Sequence, residues 1–480
     1  MAEKEKIQIK SGLEIHQQLD TGKLFCNCPG ILRKDNPDYS IERKLHAVKG
    51  ETGETDEAVQ FEASRDREFT YQGYYDNCCL VELDEEPPHE MNKEALKIAI
   101  QISILLNCEI LSYTQVMRKT VIDGSNTSGF QRTVMIAKNG YFDTKQGRVG
   151  IQGVFLEEDA ARIISREGNK VVYRLDRLGI PLVEIATSPD ISNPEMAKEA
   201  ALHIGDILRA CKVKRGLGTI RQDVNLSVSV DGKWGERIEL KGVQEPDLII
   251  KTIETETKRQ EDLIKKKKSV SEVRKANEDG TTTFLRPMPG GARMYPETDL
   301  PLLYISRDFI NEVKKSMPKL RSEIKDELKK HGLNDEIVKI LVAENKLDEF
   351  KELIEVYNKP ELIGKILTLW MKEVEKTGKK KEDIEQKLSI DVIETILQNV
   401  QNKKINENDV LEVMKDIVTG KKLEDALKRE KVENLDEEVL KLIKEKPGLS
   451  KNAYMGLAMA KFKGKVNGKE VMLVLDRLVK

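Results

Sequence analysis

Glu14 and His16 stand two residues apart in Ile7-Gln-Ile9-Lys-Ser-Gly-Leu13-Glu14-Ile15-His16. Period-two alternation predicts a strand with Ile7, Ile9, Leu13 and Ile15 on its dry face. Glu14 and His16 then share the wet face, roughly 7 Å apart. A carboxylate and an imidazole at that spacing can ligate one ion, relay one proton, or stand as ordinary surface groups. A second alternation, Arg221-Gln-Asp223-Val-Asn225-Leu-Ser227-Val, is followed by Asp231-Gly232 and then Arg237-Ile-Glu239-Leu-Lys241. Asp-Gly between two such runs predicts a hairpin. Val224, Leu226, Ile238 and Leu240 would enter a core. The other face would gather Arg, Asp, Asn, Glu and Lys, which suits a charged ligand; an outer face laced with ion pairs has the same pattern.

Three further features carry acid or thiol chemistry. Leu156-Glu157-Glu158-Asp159 reads as acids at a strand-to-helix junction, where they would also serve a helix dipole. Ile180-Pro-Leu182-Val-Glu184-Ile-Ala186 embeds one carboxylate in an apolar run, and burying it is costly unless it is paired or metal-bound. Carboxylates converging with His16 would make a hard-ion site suited to Mg²⁺ carrying nucleotide phosphates. Cys26-Asn-Cys28 and Cys78-Cys79 could hold zinc, although the second pair lacks the usual gap and four reduced structural thiols are the alternative. The loop Asp123-Gly-Ser125-Asn-Thr127-Ser-Gly-Phe-Gln131-Arg132-Thr133 offers N–H groups and hydroxyls to an anion, or is simply a turn. No G-x-x-x-x-G-K-[ST] loop occurs, so any ATP site is of another kind.

These residues need elements to position them. The 480 residues suffice for two to four domains. Residues 1–305 are strand-rich with Gly and Pro punctuation, 306–400 are Lys/Glu/Leu-rich with helical period, and 401–480 read as short helices. The expected fold class is α+β: a β-rich domain, an all-α domain and a small, mainly helical tail. Helices are expected from Met91 to Asn107, from Asn193-Pro194 onward, and from about Asp247 to Lys267. A net charge of −2 leaves no global basic excess, so nucleic-acid contact must be a local patch. The best patch is Lys461, Lys463, Lys465 and Lys469, unless it is only a surface turn. No apolar run approaches membrane length and no signal-peptide core precedes the first strand, which predicts a cytoplasmic location.

The segments together resemble the E subunit of archaeal glutamyl-tRNA(Gln) amidotransferase, a family shared with the B subunit of the bacterial enzyme. The resemblance lies in GLEIHQQLDTGKLFC (12–26), CLVELDEEPPHEMN (79–92), MRKTVIDGSNTSGFQRT (117–133), GVFLEEDAARI (153–163), RLDRLGIPLVEIATSPDIS (174–192), GLGTIRQDVNLSV (216–228), ERIELKGVQ (236–244) and PMPGGARMYPETDLP (287–301). The tail YMGLAMAKFKGKVNGKEV (454–471) resembles the tail shared with the B-type relatives. The resemblance implies a cradle domain (1–305), a helical domain (306–400) and a tRNA-binding tail (401–480). It implies ATP-dependent phosphorylation of the γ-carboxylate of Glu-tRNA(Gln), then amidation with ammonia from an asparaginase-like D subunit, in a hetero-oligomer. Glu14, His16 and Glu158 become the leading Mg²⁺ ligands, with Glu157, Glu184 and Asp223 beside them. Ser125, Thr127, Gln131, Arg221 and Lys241 are expected around the nucleotide. A tRNA-binding scaffold without kinase activity and a B-type role with an amidase-like partner are the competing readings.

Two departures from the family pattern are visible. The family carries an inserted domain, resembling one in bacterial aspartyl-tRNA synthetases, where Ser269–Arg286 stands here. Asn277-Glu-Asp-Gly280 and Thr281-Thr-Thr-Phe284 predict a simple hairpin or loop in its place. Zinc-bearing B-type relatives show C-x-C followed by C-x-x-C-L-G. Cys79-Leu80 matches the end of that motif, but the position three before it is Asp76, leaving Cys78 as the substitute.

Overall fold

The computed structural model describes residues 6–46, 53–55, 57–216, 218–288, 294–344, 346–428, 435–462 and 468–479, apart from the side chains of Ala58, Ser322, Lys469 and Glu470. Residues up to the strand Met294–Pro296 are β-rich, and beyond Arg307 the described elements are helices, so the chain is α+β. It divides into two compact units, 1–320 and 321–480.

The first unit is built on a twelve-stranded mixed sheet. Across it run Thr282–Pro287, Glu272–Ala276, Ile238–Lys241, Ile220–Val230, Ile7–Gln18, Pro181–Thr187, Gly147–Glu158, Phe130–Thr144, Met117–Thr120 and Met294–Pro296. The strand Ile7–Gln18 lies inside the sheet, paired antiparallel with Pro181–Thr187 on one side and Ile220–Val230 on the other. The alternation sorts the faces as expected. Leu13, Ile15, Val183, Ile185, Val224, Leu226, Ile238 and Leu240 are buried in one core. That core also takes the apolar sides of helices Lys93–Leu105, Pro194–Ala210 and Pro246–Lys265. Asn92 and Asn193 cap the first two through their side chains. Ile7 departs from expectation: at the strand's beginning it is 42% exposed.

The Asp231-Gly232 turn has both φ angles positive, 49° and 83°, the requirement of a two-residue hairpin turn. Ile220–Val230 pairs first with Lys233–Trp234 and then with Ile238–Lys241. The Ser269–Arg286 connection forms the predicted hairpin: Glu272–Ala276 pairs with Thr282–Pro287, and Asn277 and Gly280 close its turn. Glu272–Ala276 also adds, in parallel, to Ile238–Lys241. Glu256, 1% exposed on the helix Pro246–Lys265, fastens the hairpin by accepting from Arg259, Gln260 and Thr282.

A four-stranded sheet (Tyr39–Arg43, Glu68–Gly73, Lys170–Arg174, Arg162–Glu167) supports the loop 121–129. Tyr71 and Tyr173 stack at 5.9 Å between ring centroids and donate their hydroxyls to the carbonyls of Gly124 and Asp123. Gly124 has φ +89°, and a Cβ there would lie 2.2 Å from the Phe69 ring, so only glycine fits.

Two expectations need correction. Glu157 and Glu158 end the strand Gly147–Glu158, and the next element is the strand Arg162–Glu167, so no helix follows the acids. The domain boundaries also differ. Helix Arg307–Lys315 gives Phe309, Ile310 and Val313 to the core of the first unit, which therefore runs to 320 rather than 305. In the second unit, one hydrophobic cluster with the residues packed against it spans Ile324 to Leu427 and another Leu435 to Val479, so the helix Val410–Val418 packs with the preceding helices and not with the tail. Composition cannot see these limits, because they depend on which apolar face is covered by which neighbour. Among the described residues no helix is long and apolar enough to cross a membrane.

Candidate active site

The wet face of the sheet bears a cavity of about 490 Å³ lined by Glu14, His16, Lys119, Glu157, Asp159, Arg221, Asp223, Glu239 and Lys241, among others. Register explains the gathering. Glu14 lies opposite Asp223, and His16 lies between Arg221 on one neighbouring strand and Glu184 on the other. Leu182 lies opposite Glu157, which brings that carboxylate to the same face as Glu184.

His16 Nε2 lies 3.1 Å from Glu184 Oε2 and 3.6 Å from Glu14 Oε1. Ligand atoms of His16, Glu157 and Glu184 all lie within 4.8 Å of one another, and so do those of Glu14, His16 and Asp223. Two triads therefore share one imidazole. Lys119 Nζ stands 2.9 Å from Glu157 and 3.9 Å from Glu184. Lys241 bonds Asp223 at 2.8 Å and also pairs with Glu239. Asp159, 1% exposed, accepts from Arg221 and Gln18.

Crowded acids must partition their protons. Burial and the nearby Glu184 charge push Glu14 up to about 7, despite His16 and Lys241. Burial would raise Glu184 too, but the His16 hydrogen bond and Lys119 hold it down to about 2. Burial would lower His16, yet Glu184, Glu157 and Glu14 outweigh it and favour the imidazolium. Burial likewise opposes the Lys241 charge, and Asp223 and Glu239 outweigh it. An oxygen-rich set around one imidazole, with excess negative charge, fits a hard divalent cation and would lose its internal repulsion on binding one.

Glu14, His16, Glu157, Glu184 and Asp223 thus come together, and Glu158 does not. As the strand alternates, Glu158 turns to the opposite face, where it is buried against Arg132 and pushed up by that burial. Arg132 is shared with Glu297, itself 0% exposed. Ser125, Gln131, Arg221 and Lys241 line the cavity. Gln131 sits on a strand rather than in the loop, and its amide donates to Glu157 Oε2 and the Glu158 carbonyl. Thr127 is absent from the cavity: its buried hydroxyl donates to the Glu82 carbonyl. Lys119 and Arg286 join the lining without having been singled out by the sequence, and Asp159, noted there among the three adjacent acids but given no role, joins it as well. Glu239 shares the alternation of Asp223 and Lys241, so its signal was present. Lys119 follows Arg118 on a four-residue strand, too short for alternation to choose between them.

Of the tail lysines, Lys461 is exposed and 3.4 Å from Glu438. Lys463, Lys465 and the Lys469 side chain lie outside the described residues. Cys78 does not join the other three cysteines but packs beside Lys23 and Leu178.

The profile described as the GatB/GatE catalytic domain matches residues 9–311. Similar proteins include the E subunit of the glutamyl-tRNA(Gln) amidotransferase of Methanocaldococcus jannaschii, 38% identical with 99% of each chain covered. The E subunits of the same enzyme in Methanococcus maripaludis (33%, 99% of each) and Thermococcus sibiricus (34%, 96% of each) are similar as well. The first alignment runs over 632 positions against the 480 residues here, so upwards of 150 positions of that relative face no residue of this chain.

Proposed function

Because the chain belongs to the GatB/GatE family, we propose that it is the catalytic subunit of a tRNA-dependent amidotransferase, acting on the γ-carboxylate of glutamate esterified to tRNA(Gln). The observation that carries this reading is the pair of triads sharing His16, flanked by Lys119 and Lys241. A carboxylate is a poor acyl donor to ammonia. Its oxygen attacks the γ-phosphorus of ATP and ADP departs, leaving an acyl phosphate. Ammonia then attacks the acyl carbon, phosphate leaves, and the lost proton completes the amide.

Glu14, His16, Glu157, Glu184 and Asp223 would hold Mg²⁺, which when bound offsets the repulsion between carboxylate and triphosphate. Lys119 and Lys241 add fixed positive charge where anions must meet, and Arg221 adds a third cation held by Asp159. Gln131 holds Glu157 in place. Ammonia would come from a partner amidohydrolase of the asparaginase-like type. Contact with the tRNA backbone would involve Lys461, Lys463, Lys465 and Lys469.

The test is ATP- and ammonia-dependent formation of Gln-tRNA(Gln), with Glu157→Gln and Glu158→Gln compared. Glu157→Gln should reduce turnover by about 100-fold or more, the scale of losing one preorganised electrostatic group. Glu158→Gln should cost on the order of 1–3 kcal/mol of stability and retain most activity in the folded fraction. Equal loss of turnover in both, with both folded, would contradict the placement. Absence of ATP-dependent product from the wild-type complex would overturn the function.

A further inference from the structure

A second depression, of about 390 Å³, opens on the same wet face of the sheet, and Glu14 and Glu239 line both it and the candidate active site. The strand Ile7–Gln18 leads from the triads into it. After His16 and Glu14, the next wet-face positions are Gly12, which leaves the floor bare, and Lys10. Asn225 lies opposite Gly12 and Ser227 opposite Lys10. Arg237 precedes Ile238, which pairs with Leu226, so Arg237 stands beside Ser227 on that face. We propose that this depression receives the 3′-terminal nucleotide of the aminoacyl-tRNA, with its phosphate between Lys10 and Arg237. The inference rests on the reading that the chain acts on glutamate esterified to tRNA.

The depression keeps its polar groups for a ligand. Three cations of the candidate active site are held by acids: Lys119 by Glu157, Lys241 by Asp223 and Arg221 by Asp159. Lys10 and Arg237 have no such partner. Among the described residues, the side chains of Gln152, Asn225, Ser227 and Arg237 make no hydrogen bond or ion pair with the protein, and Lys10 meets only the ring of Trp234, at 4.7 Å. Donors, acceptors and two positive charges are thus all left for what enters.

Spacing identifies the ligand. At about 3.4 Å per residue, Lys10 stands roughly 14 Å along the strand from Glu14. In glutamate esterified to a terminal ribose, about ten covalent bonds separate the γ-carboxyl carbon from the phosphorus of that nucleotide, roughly 12 Å when extended. The reach of the Lys10 and Arg237 side chains covers the difference. ATP does not match. Its phosphates lie within roughly 6 Å of one another and belong beside the triads, and beyond them it carries only a neutral nucleoside. Two unpaired cations at this distance suit a phosphodiester. Trp234, 43% exposed, lies opposite Ser229, one step farther along the same face, and offers its ring to the preceding base.

The experiment uses the full-length chain, Glu-tRNA(Gln), ATP and ammonium chloride, with tRNA binding also measured without ATP. Lys10 and Arg237 are exposed, so neither substitution should disturb folding. Lys10→Ala and Arg237→Ala should each raise the KM for Glu-tRNA(Gln) by about threefold to tenfold and leave the KM for ATP unchanged. Arg237→Lys should restore most of the affinity. A tRNA whose last phosphodiester is a neutral methylphosphonate should bind wild type about tenfold more weakly than unmodified tRNA, and the double variant should not distinguish the two. Unchanged tRNA affinity in the double variant overturns the subsite. So does equal sensitivity to the methylphosphonate in wild type and double variant, or a rise in the KM for ATP instead of tRNA. Wild type that shows the expected tRNA binding but forms no Gln-tRNA(Gln) sinks the proposed function and supports the subsite; wild type that binds no tRNA sinks both.

Discussion

Glu14 holds its proton up to about pH 7 because it is buried next to the charge of Glu184. Between pH 4.5 and 7 the folded chain thus keeps a proton that the unfolded chain has released. Stability must fall as pH rises through that window, by at most about 3.4 kcal/mol from Glu14, and His16, whose imidazolium the fold favours, continues the decline above 6.5. Glu184 behaves oppositely: held down to about 2, it adds stability above pH 4.5 that disappears as pH falls through 2. Urea unfolding in EDTA at pH 5, 6, 7 and 8 should show the decline for wild type and a flatter profile for Glu14→Gln. Parallel profiles would remove Glu14 as the cause. Where alternation ran long, single residues could be placed on a face: Glu14, His16 and Asp223 were put on the wet side, and the resemblance, not the alternation, set them apart from ordinary surface groups. The choice between Glu157 and Glu158 was not legible, because adjacent acids at a strand end point to opposite faces and only the register with Leu182 separates them.

At the scale of elements, capping residues, apolar stripes and the Asp-Gly turn made the helices and the hairpin readable, since each is a local signal. The wall of the candidate site was not, because the loop 121–129 owes its shape to Phe69, Tyr71 and Tyr173 on strands distant in sequence. Gly124 is where that support is tightest. Gly124→Ala must either abandon φ +89° or displace Phe69, at a cost of about 2 kcal/mol or more. Denaturant unfolding of Gly124→Ala measures it; a loss below about 0.5 kcal/mol would mean the loop relaxes freely. Nucleotide affinity should weaken in the same variant, since Ser125 and Asn126 line the cavity.

At the scale of the whole molecule, the order of β-rich and helical regions was visible in composition, while the boundaries were set by core packing that composition does not encode. The tail has its own hydrophobic cluster, including Val439, Tyr454, Phe462 and Val474, so its removal should leave the rest intact. Deleting residues 435–480 should raise the KM for tRNA and spare ammonia-dependent turnover at saturating tRNA. The dependence of log affinity on log salt should flatten by roughly 0.7–0.9 for each phosphate that the tail no longer neutralises. An unchanged salt slope would place the tRNA-binding surface elsewhere. The strand Ile7–Gln18 is an interior strand of the sheet, and its two partners, both made after it, end at residues 187 and 230. During synthesis it must therefore wait, unpaired, while about 170 residues follow it before the first partner is complete, roughly 8–34 s at about 5–20 residues per second. The nascent chain carries Glu14 and His16 through that interval on an open strand edge. Their charge and the half-polar face they create guard it against pairing with a neighbouring chain before its own partners emerge.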